Sequence, residues 1–246
     1  MLWRKGSDML DVAITRQRRD FPVNVSFTLE PGSALGLFGA SGSGKSTVLS
    51  CIAGLEKPDQ GHVRLNDLGL YPPSRPLHQR PIGYLTQEPN LFPHLSVREN
   101  VLFGVTKSSS NRELSTELAE WINDLRQRLD LSSLWNASAS RISGGQARRV
   151  SLARTLARRP ALLLIDEPFT GLDRQLVRQL IDDLIFWNQK VGFTMIAVDH
   201  QAEVLERLCP QQALVLERGS VVQRGSWEEL RRSPATEQLQ SLLSPL

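Results

Sequence analysis

Long apolar runs are missing from this 246-residue chain: the longest unbroken one, Ala161–Ile165, has five residues, against the ~20 that a membrane-spanning helix needs. Cysteine is scarce. Cys51 and Cys209 stand far apart with no CxxC pair, which argues against a disulfide framework or zinc site and fits two thiols in a reducing compartment. Nor is one sign of charge in excess: 29 Lys and Arg against 26 Asp and Glu leave +3, too little to argue for nucleic acid. The basic start MLWRKGSDML precedes no apolar stretch of signal-peptide length, so export is not expected. No internal repeat or low-complexity segment is seen. What is there is ordinary globular material, 40% hydrophobic and 22% charged, enough for a sizeable core and incompatible with wholesale disorder. The length suggests one large domain, or a domain with a subdomain.

Short apolar runs and turns alternate through the first third. Val23–Leu29 has strand alternation, Ala34–Phe38 reads as a buried strand, and Ser46–Ala53 as the helix after it, ended by Gly54. Ile82–Thr86 is a further strand candidate. From Pro89 to Gly145 the texture turns to helices and polar loops. Ser96 and Glu99 form a capping box for a short helix stopping near Gly104. Leu114, Leu118, Trp121, Ile122, Leu125 and Leu129 recur at helical spacing, and Lys107–Asn111 is a Ser-rich link between the two helices. Strand–helix–strand order returns with Ala161–Ile165, Gln175–Asn188 and Phe193–Val198, suggesting parallel βαβ units. A hairpin turns at Arg218-Gly219-Ser220, and Ser226 with Glu229 opens a helical tail.

Gly39-Ala40-Ser41-Gly42-Ser43-Gly44-Lys45-Ser46-Thr47 fits G-x-x-x-x-G-K-[ST] between a strand and a helix, the context this motif requires. Its glycines let successive N–H groups turn onto phosphate oxygens, the helix N-terminus adds partial positive charge, and Lys45 neutralises the β- and γ-phosphates. Ser46 offers a hydroxyl to Mg²⁺. A chance match in this length is about one in a hundred, before context is counted. Leu162–Ile165 then leads into Asp166 and Glu167. At the carboxyl end of a parallel strand these acids face the phosphate loop, with Asp166 toward Mg²⁺ and Glu167 placed to deprotonate an attacking water. A pair of acids merely starting a solvated loop is the plainer alternative. Ser143-Gly144-Gly145-Gln146 is a capping box whose glycines leave N–H groups bare, a second anion site. Two phosphate sites in one chain need either two nucleotides or a partner chain.

In order and spacing, the phosphate loop, Gln87, ISGGQ (Ile142–Gln146), LLLIDEP (Leu162–Pro168) and His200 resemble the ATP-binding subunits of ABC transporters over essentially the whole chain. The resemblance implies an α/β P-loop NTPase of ABC-ATPase type: a mainly parallel core sheet, an N-terminal antiparallel β-subdomain and an inserted helical subdomain. Within residues 1–246, the α/β body would take about 1–88 and 146–246 and the helical subdomain about 89–145. It implies ATP and Mg²⁺ as cofactors, Glu167, His200 and Gln87 as catalytic residues, and Ser46, Gln87 and Asp166 toward the metal. Gln87 would be the Q-loop glutamine, Asp173 the D-loop acid that crosses a dimer, and His200 the switch histidine at the γ-phosphate. His62, His78 and His94 have no such role.

Two departures stand out. Asp199 precedes His200 where the family has Thr or Ser; an acid there could raise the imidazole pKa, bind cation, or point outward. The adenine-stacking ring upstream of the phosphate loop is missing, Arg16-Gln17-Arg18-Arg19 taking its place with Phe21 as the one nearby ring. The implied partners are a second copy of the chain in an ATP sandwich, integral-membrane permease subunits and a solute-binding protein, without nucleic acid. The implied location is peripheral, on the cytoplasmic face of the cell membrane. Pro89–Ser96 resembles the segment of importers on which the permease docks. Tyr71-Pro-Pro-Ser-Arg75 and Ile82–Leu85 look most like molybdate-type importers, while thiamine, iron, sulfate, polyamine and sugar importers share much of this. The chain stops at Leu246, so the oxyanion-sensing domain often attached to molybdate subunits is not expected. A non-transport ABC ATPase and a nucleotide-gated scaffold with little turnover are the alternatives.

Overall fold

The computed structural model describes residues 9–72, 75–106 and 115–244. The basic N-terminus, Pro73–Ser74 of the Tyr71–Arg75 motif, the Lys107–Asn111 link, Leu114 and the last two residues lie outside them.

Ten strands form one sheet: β1 (Leu10–Arg16), β2 (Val23–Leu29), β3 (Ala34–Phe38), β4 (Gln60–Leu65), β5 (Leu68–Tyr71), β6 (Ile82–Leu85), β7 (Leu162–Asp166), β8 (Thr194–Val198), β9 (Ala213–Glu217) and β10 (Ser220–Gly225). Their spatial order is β5-β4-β1-β2-β10-β9-β3-β8-β7-β6. The run β9-β3-β8-β7-β6 is parallel throughout. At the other end β5, β4, β1 and β2 pair antiparallel, and β10 joins that ribbon to the rest, parallel to β2 and antiparallel to β9.

The helices are α1 (Lys45–Ala53), α2 (Val97–Thr106), α3 (Thr116–Arg128), α4 (Gly144–Ala157), α5 (Arg174–Val191), α6 (Ala202–Leu208), α7 (Trp227–Arg232) and α8 (Glu237–Leu243). Period-2 alternation gives the parallel strands two apolar faces. Leu163, Ile165, Met195 and Ala197 join one core cluster with α2–α6. Leu162, Leu164, Ile196 and Val198 join another with α1 and the antiparallel strands. The helix begun at Ser96 runs two residues beyond Gly104 instead of stopping there. A Cβ at Gly104 would lie 2.6 Å from the Arg158 side chain, so this glycine permits close packing within the helix instead of ending it. The helix predicted from Leu114 begins at Thr116, capped by the Ser115 hydroxyl.

Trp227 seals the base of the core. It is buried, donates its indole N–H to the Cys209 carbonyl at 2.9 Å and meets Phe38 edge-on at 5.7 Å. Trp227→Ala is expected to destabilise the chain by about 3–5 kcal/mol through the cavity left behind. A urea midpoint equal to the parent's would contradict that.

Candidate functional site

Four adjacent parallel strands deliver the predicted residues to one edge. The phosphate loop follows β3, Asp199 and His200 follow β8, Asp166 ends β7 with Glu167 next in the chain, and Gln87 comes two residues after β6. Since β3, β8, β7 and β6 are neighbours in that order, segments far apart in sequence meet at the carboxyl ends, where open α/β sheets bind ligands.

The loop's shape depends on its glycines. Gly39 has φ 145°, Gly42 φ 77° and Gly44 φ 107°. A Cβ on Gly39 would fall 2.2 Å from the Leu216 carbonyl oxygen. The β9–β10 turn supports the loop from behind, Gly219 donating its N–H to the Ser43 carbonyl at 2.9 Å. Lys45, only 6% exposed, folds back to donate to the Gly39 and Ala40 carbonyls at 2.9 and 2.8 Å. An ammonium has three N–H donors, so one remains for a ligand. Burial pulls this ammonium below its ordinary pKa, while Glu167, Asp166 and Asp199 act in the opposite direction.

Ser46 donates its hydroxyl to Asp166 Oδ1 at 3.1 Å. On the other side Asp166 Oδ2 accepts from the Tyr84 hydroxyl at 2.9 Å. Burial first, and the Asp166 charge second, push the Tyr84 phenol far up, so it remains a donor. A serine hydroxyl beside a carboxylate is an all-oxygen donor set of the kind Mg²⁺ takes, with its other positions filled by water and substrate phosphates. Among the described residues no three His, Cys, Asp or Glu converge on a metal position.

Glu167 has φ 47°, an uncommon conformation for a non-glycine residue. Its N–H is tied to the Val198 carbonyl at 3.0 Å. Its side chain lines a cavity of about 620 Å³ together with Ser41, Gly42, Lys45, Ser46 and Thr47. Gln17, Arg18, Arg19, Asp20 and Phe21 form the far wall. Arg16 is held by Asp59 at 2.8 Å and Arg18 by Glu56 at 3.4 Å. Phe21 is the aromatic ring of this cavity. His200 Nδ1 lies 4.0 Å from Glu167 Oε2. Gln87 is exposed in the bend after β6 and does not line the cavity.

Ser143 caps α4 as predicted: it accepts from the Gln146 N–H at 3.3 Å while Gln146 Oε1 accepts from the Ser143 N–H at 2.9 Å. Ser143, Gly144, Gly145 and Gln146 line a separate cavity of about 600 Å³. Gly171, Leu172 and Asp173 form its opposite wall, Asp173 also capping α5 at 2.9 Å from the Leu176 N–H. No described residue lines both this cavity and that of Lys45.

The roles of Tyr84 and of Arg154 with Arg148 escaped the sequence reading, and the direction of Asp199 was left open by it. Tyr84 is the second partner of Asp166, and its place opposite Leu164 on β7 comes from the β6–β7 register. Asp199 points inward, 2% exposed. Arg154 of α4 donates to the Asn90 and Pro89 carbonyls at 2.7 and 2.8 Å, and Arg148 to Thr86 at 3.1 Å, holding the segment around Gln87 to α4.

Burial raises the Asp199 pKa. The folded chain therefore binds that proton more tightly than the unfolded chain, whose aspartates titrate near ~3.9. Its charge opposes folding above that pH and ceases to do so below it. Asp199→Asn is expected to be more stable than the parent at pH 7, with the gain shrinking toward pH 4. Equal denaturation midpoints at pH 7 would contradict this.

The ABC transporter family profile matches residues 23–170. Among characterised proteins, a probable sulfate/thiosulfate import ATP-binding protein of Chlorella vulgaris is 39% identical over 85% of this chain and 86% of its own length. A molybdenum import ATP-binding protein of Bradyrhizobium diazoefficiens is 34% identical over 94% of this chain, which spans 25% of that protein. Other relatives carry names for putrescine, Fe(3+) and methionine import. The ADP conformation of MJ1267, an ATP-binding cassette of an ABC transporter, superposes with a TM-score of 0.79 at 23% identity, covering 96% of this chain and 98% of that one. At that identity the superposition shows the fold.

Proposed function

Because the chain belongs to the ABC transporter family, whose ATP-binding import proteins are ATPases coupled to transport, we propose that it is the ATP-hydrolysing subunit of an importer for a tetrahedral oxyanion such as molybdate. The single observation that carries the ATPase reading is the joint placement of Lys45, Ser46 and Glu167 on one cavity, with Asp166 hydrogen-bonded to Ser46. Residues Gly39–Thr47 would cradle the triphosphate, and Ser46 and Asp166, with Gln87, would hold Mg²⁺. Mg²⁺ when bound neutralises charge on the β- and γ-phosphates. Glu167 takes the proton of the attacking water and His200 steadies the γ-phosphate. The base rests against Phe21 or an arginine plane of the 16–21 loop.

Ser143–Gln146 presents its hydroxyl and bare N–H groups to the phosphates held at Lys45 of a second copy, which accounts for an anion site standing apart from the phosphate loop. Residues 89–145, containing α2 and α3, act as the helical subdomain inserted in the α/β body. Among the described residues no helix is long and apolar enough to cross a membrane, so the path for solute lies in permease subunits, fed by a solute-binding protein, with this chain at the cytoplasmic face. The docking site is the cavity of about 350 Å³ where Phe92, Phe103, Ile82 and Tyr84 gather. Leu91 of the same segment packs into the core. Phe92→Asp is expected to abolish co-purification with the permease while Mg-ATP binding persists; retained co-purification places the docking site elsewhere.

Relatives named for sulfate/thiosulfate and molybdate support the oxyanion class. Cells carrying Lys45→Ala in place of the parent should lose uptake of labelled molybdate or sulfate. Normal uptake of both would refute the oxyanion assignment while leaving the ATPase untouched.

A further inference from the structure

The inward Asp199 shares one imidazole nitrogen with the proposed general base. Its Oδ1 lies 3.5 Å from His200 Nδ1, and Glu167 Oε2 lies 4.0 Å from the same atom. Asp199 is fixed there, its Oδ1 accepting from the Gln201 N–H at 2.9 Å, with a side chain 3% exposed. The imidazole itself is 56% exposed. A charge so desolvated needs a partner, and the groups that feel its field are His200, Glu167 and Lys45. Lys45 already spends two donors on loop carbonyls.

Ionised carboxylates only accept hydrogen bonds. A bare Nδ1 lone pair facing two of them would be repelled, so Nδ1 carries the hydrogen. Nε2 lies 3.3 Å from the Gln201 side-chain amide nitrogen, and to donate to a phosphate oxygen it must carry a hydrogen as well. Resting on the ATPase reading above, we propose that Asp199 is a positioning residue that holds Nδ1–H of His200, so that Nε2–H is offered to the γ-phosphate while the Glu167 carboxylate stays free for water. Without Asp199, the carboxylate left beside Nδ1 is that of Glu167, at 4.0 Å.

Two readouts on the full chain test this. Nitrogen-15 spectra of histidine-labelled protein, with His200 identified by its loss in His200→Gln, should show Nδ1 protonated in the parent and a mixed tautomer in Asp199→Asn. A bare Nδ1 in the parent, or no change in the variant, overturns the proposal. Asn keeps the oxygen that accepts from Gln201 and removes only charge. In Mg-ATP hydrolysis, Asp199→Asn should lower kcat about tenfold, a fraction of the roughly 10²–10⁴ a general base supplies, with KM for ATP within about twofold of the parent's. The same change in a His200→Gln background should have no further effect. Effects of the two substitutions that multiply, or a raised KM with unchanged kcat, overturn it. A parent that does not hydrolyse ATP refutes the ATPase reading instead, and the tautomer of His200 still decides the role of Asp199.

Discussion

Glu167→Gln is expected to lower ATP turnover by about 10²–10⁴, the usual contribution of a general base, while ATP affinity stays at the parent's level. Phosphoryl transfer to water needs charge neutralisation, in-line geometry and an oriented nucleophile. Lys45, Ser46 and Asp166 meet at the phosphate loop and cover the first. Tyr84 keeps Asp166 aimed by holding its second oxygen, so the metal side of the site is built without Glu167. The strained backbone at Glu167, tied through its N–H to the neighbouring strand, turns this carboxylate into the cavity and away from the line of β7. An amide of the same shape fits that space but cannot accept the proton. Measured phosphate release within tenfold of the parent would remove Glu167 from the chemistry and shift attention to His200.

Lys45→Ala should fail at an earlier step. Its ammonium bridges Gly39 and Ala40 from inside the loop and keeps a third donor for phosphate. Charge-assisted contacts of this kind contribute about 1.5–3 kcal/mol, so ATP affinity should fall about 10- to 10²-fold. The two freed carbonyls also lose their partner, and the loop loses part of its preorganisation. Calorimetric titration of the Glu167→Gln and Lys45→Ala chains side by side separates the roles: the first binds ATP normally and the second does not. Normal affinity in Lys45→Ala would mean that loop N–H groups suffice for the triphosphate.

Why some of this was readable in the chain and some was not follows from the range of the forces. The strands at 34–38 and 162–166 are continuous apolar runs ending in residues with chemical signatures, and the caps at Ser143, Ser96 and Ser226 are local. All of these appear in the structure. β1 was not assigned although Leu10, Val12 and Ile14 alternate inward. The pairing of β4 with β1 joins residues some fifty positions apart, as in His62 with Ala13, and β5 is only four residues long. Gly61 marks that contact, since a Cβ there would meet the Ala13 carbonyl oxygen at 1.9 Å, a tertiary constraint with no local sign. The insertion of β10 between β2 and β9 is equally non-local. Asp199 follows the last residue of β8, where strand alternation no longer dictates direction, so its burial beside His200 came only from coordinates.

In the proposed sandwich, the phosphate loop of one chain and Ser143–Gln146 of another close on one ATP, so the mass of the non-hydrolysing chain decides whether two copies share the site. Glu167→Gln with Mg-ATP, followed by analytical ultracentrifugation, is predicted to sediment as a dimer, and as a monomer when Ser143→Arg is added. A chain that saturates with ATP yet stays monomeric, or a dimer indifferent to Ser143→Arg, would contradict the shared site.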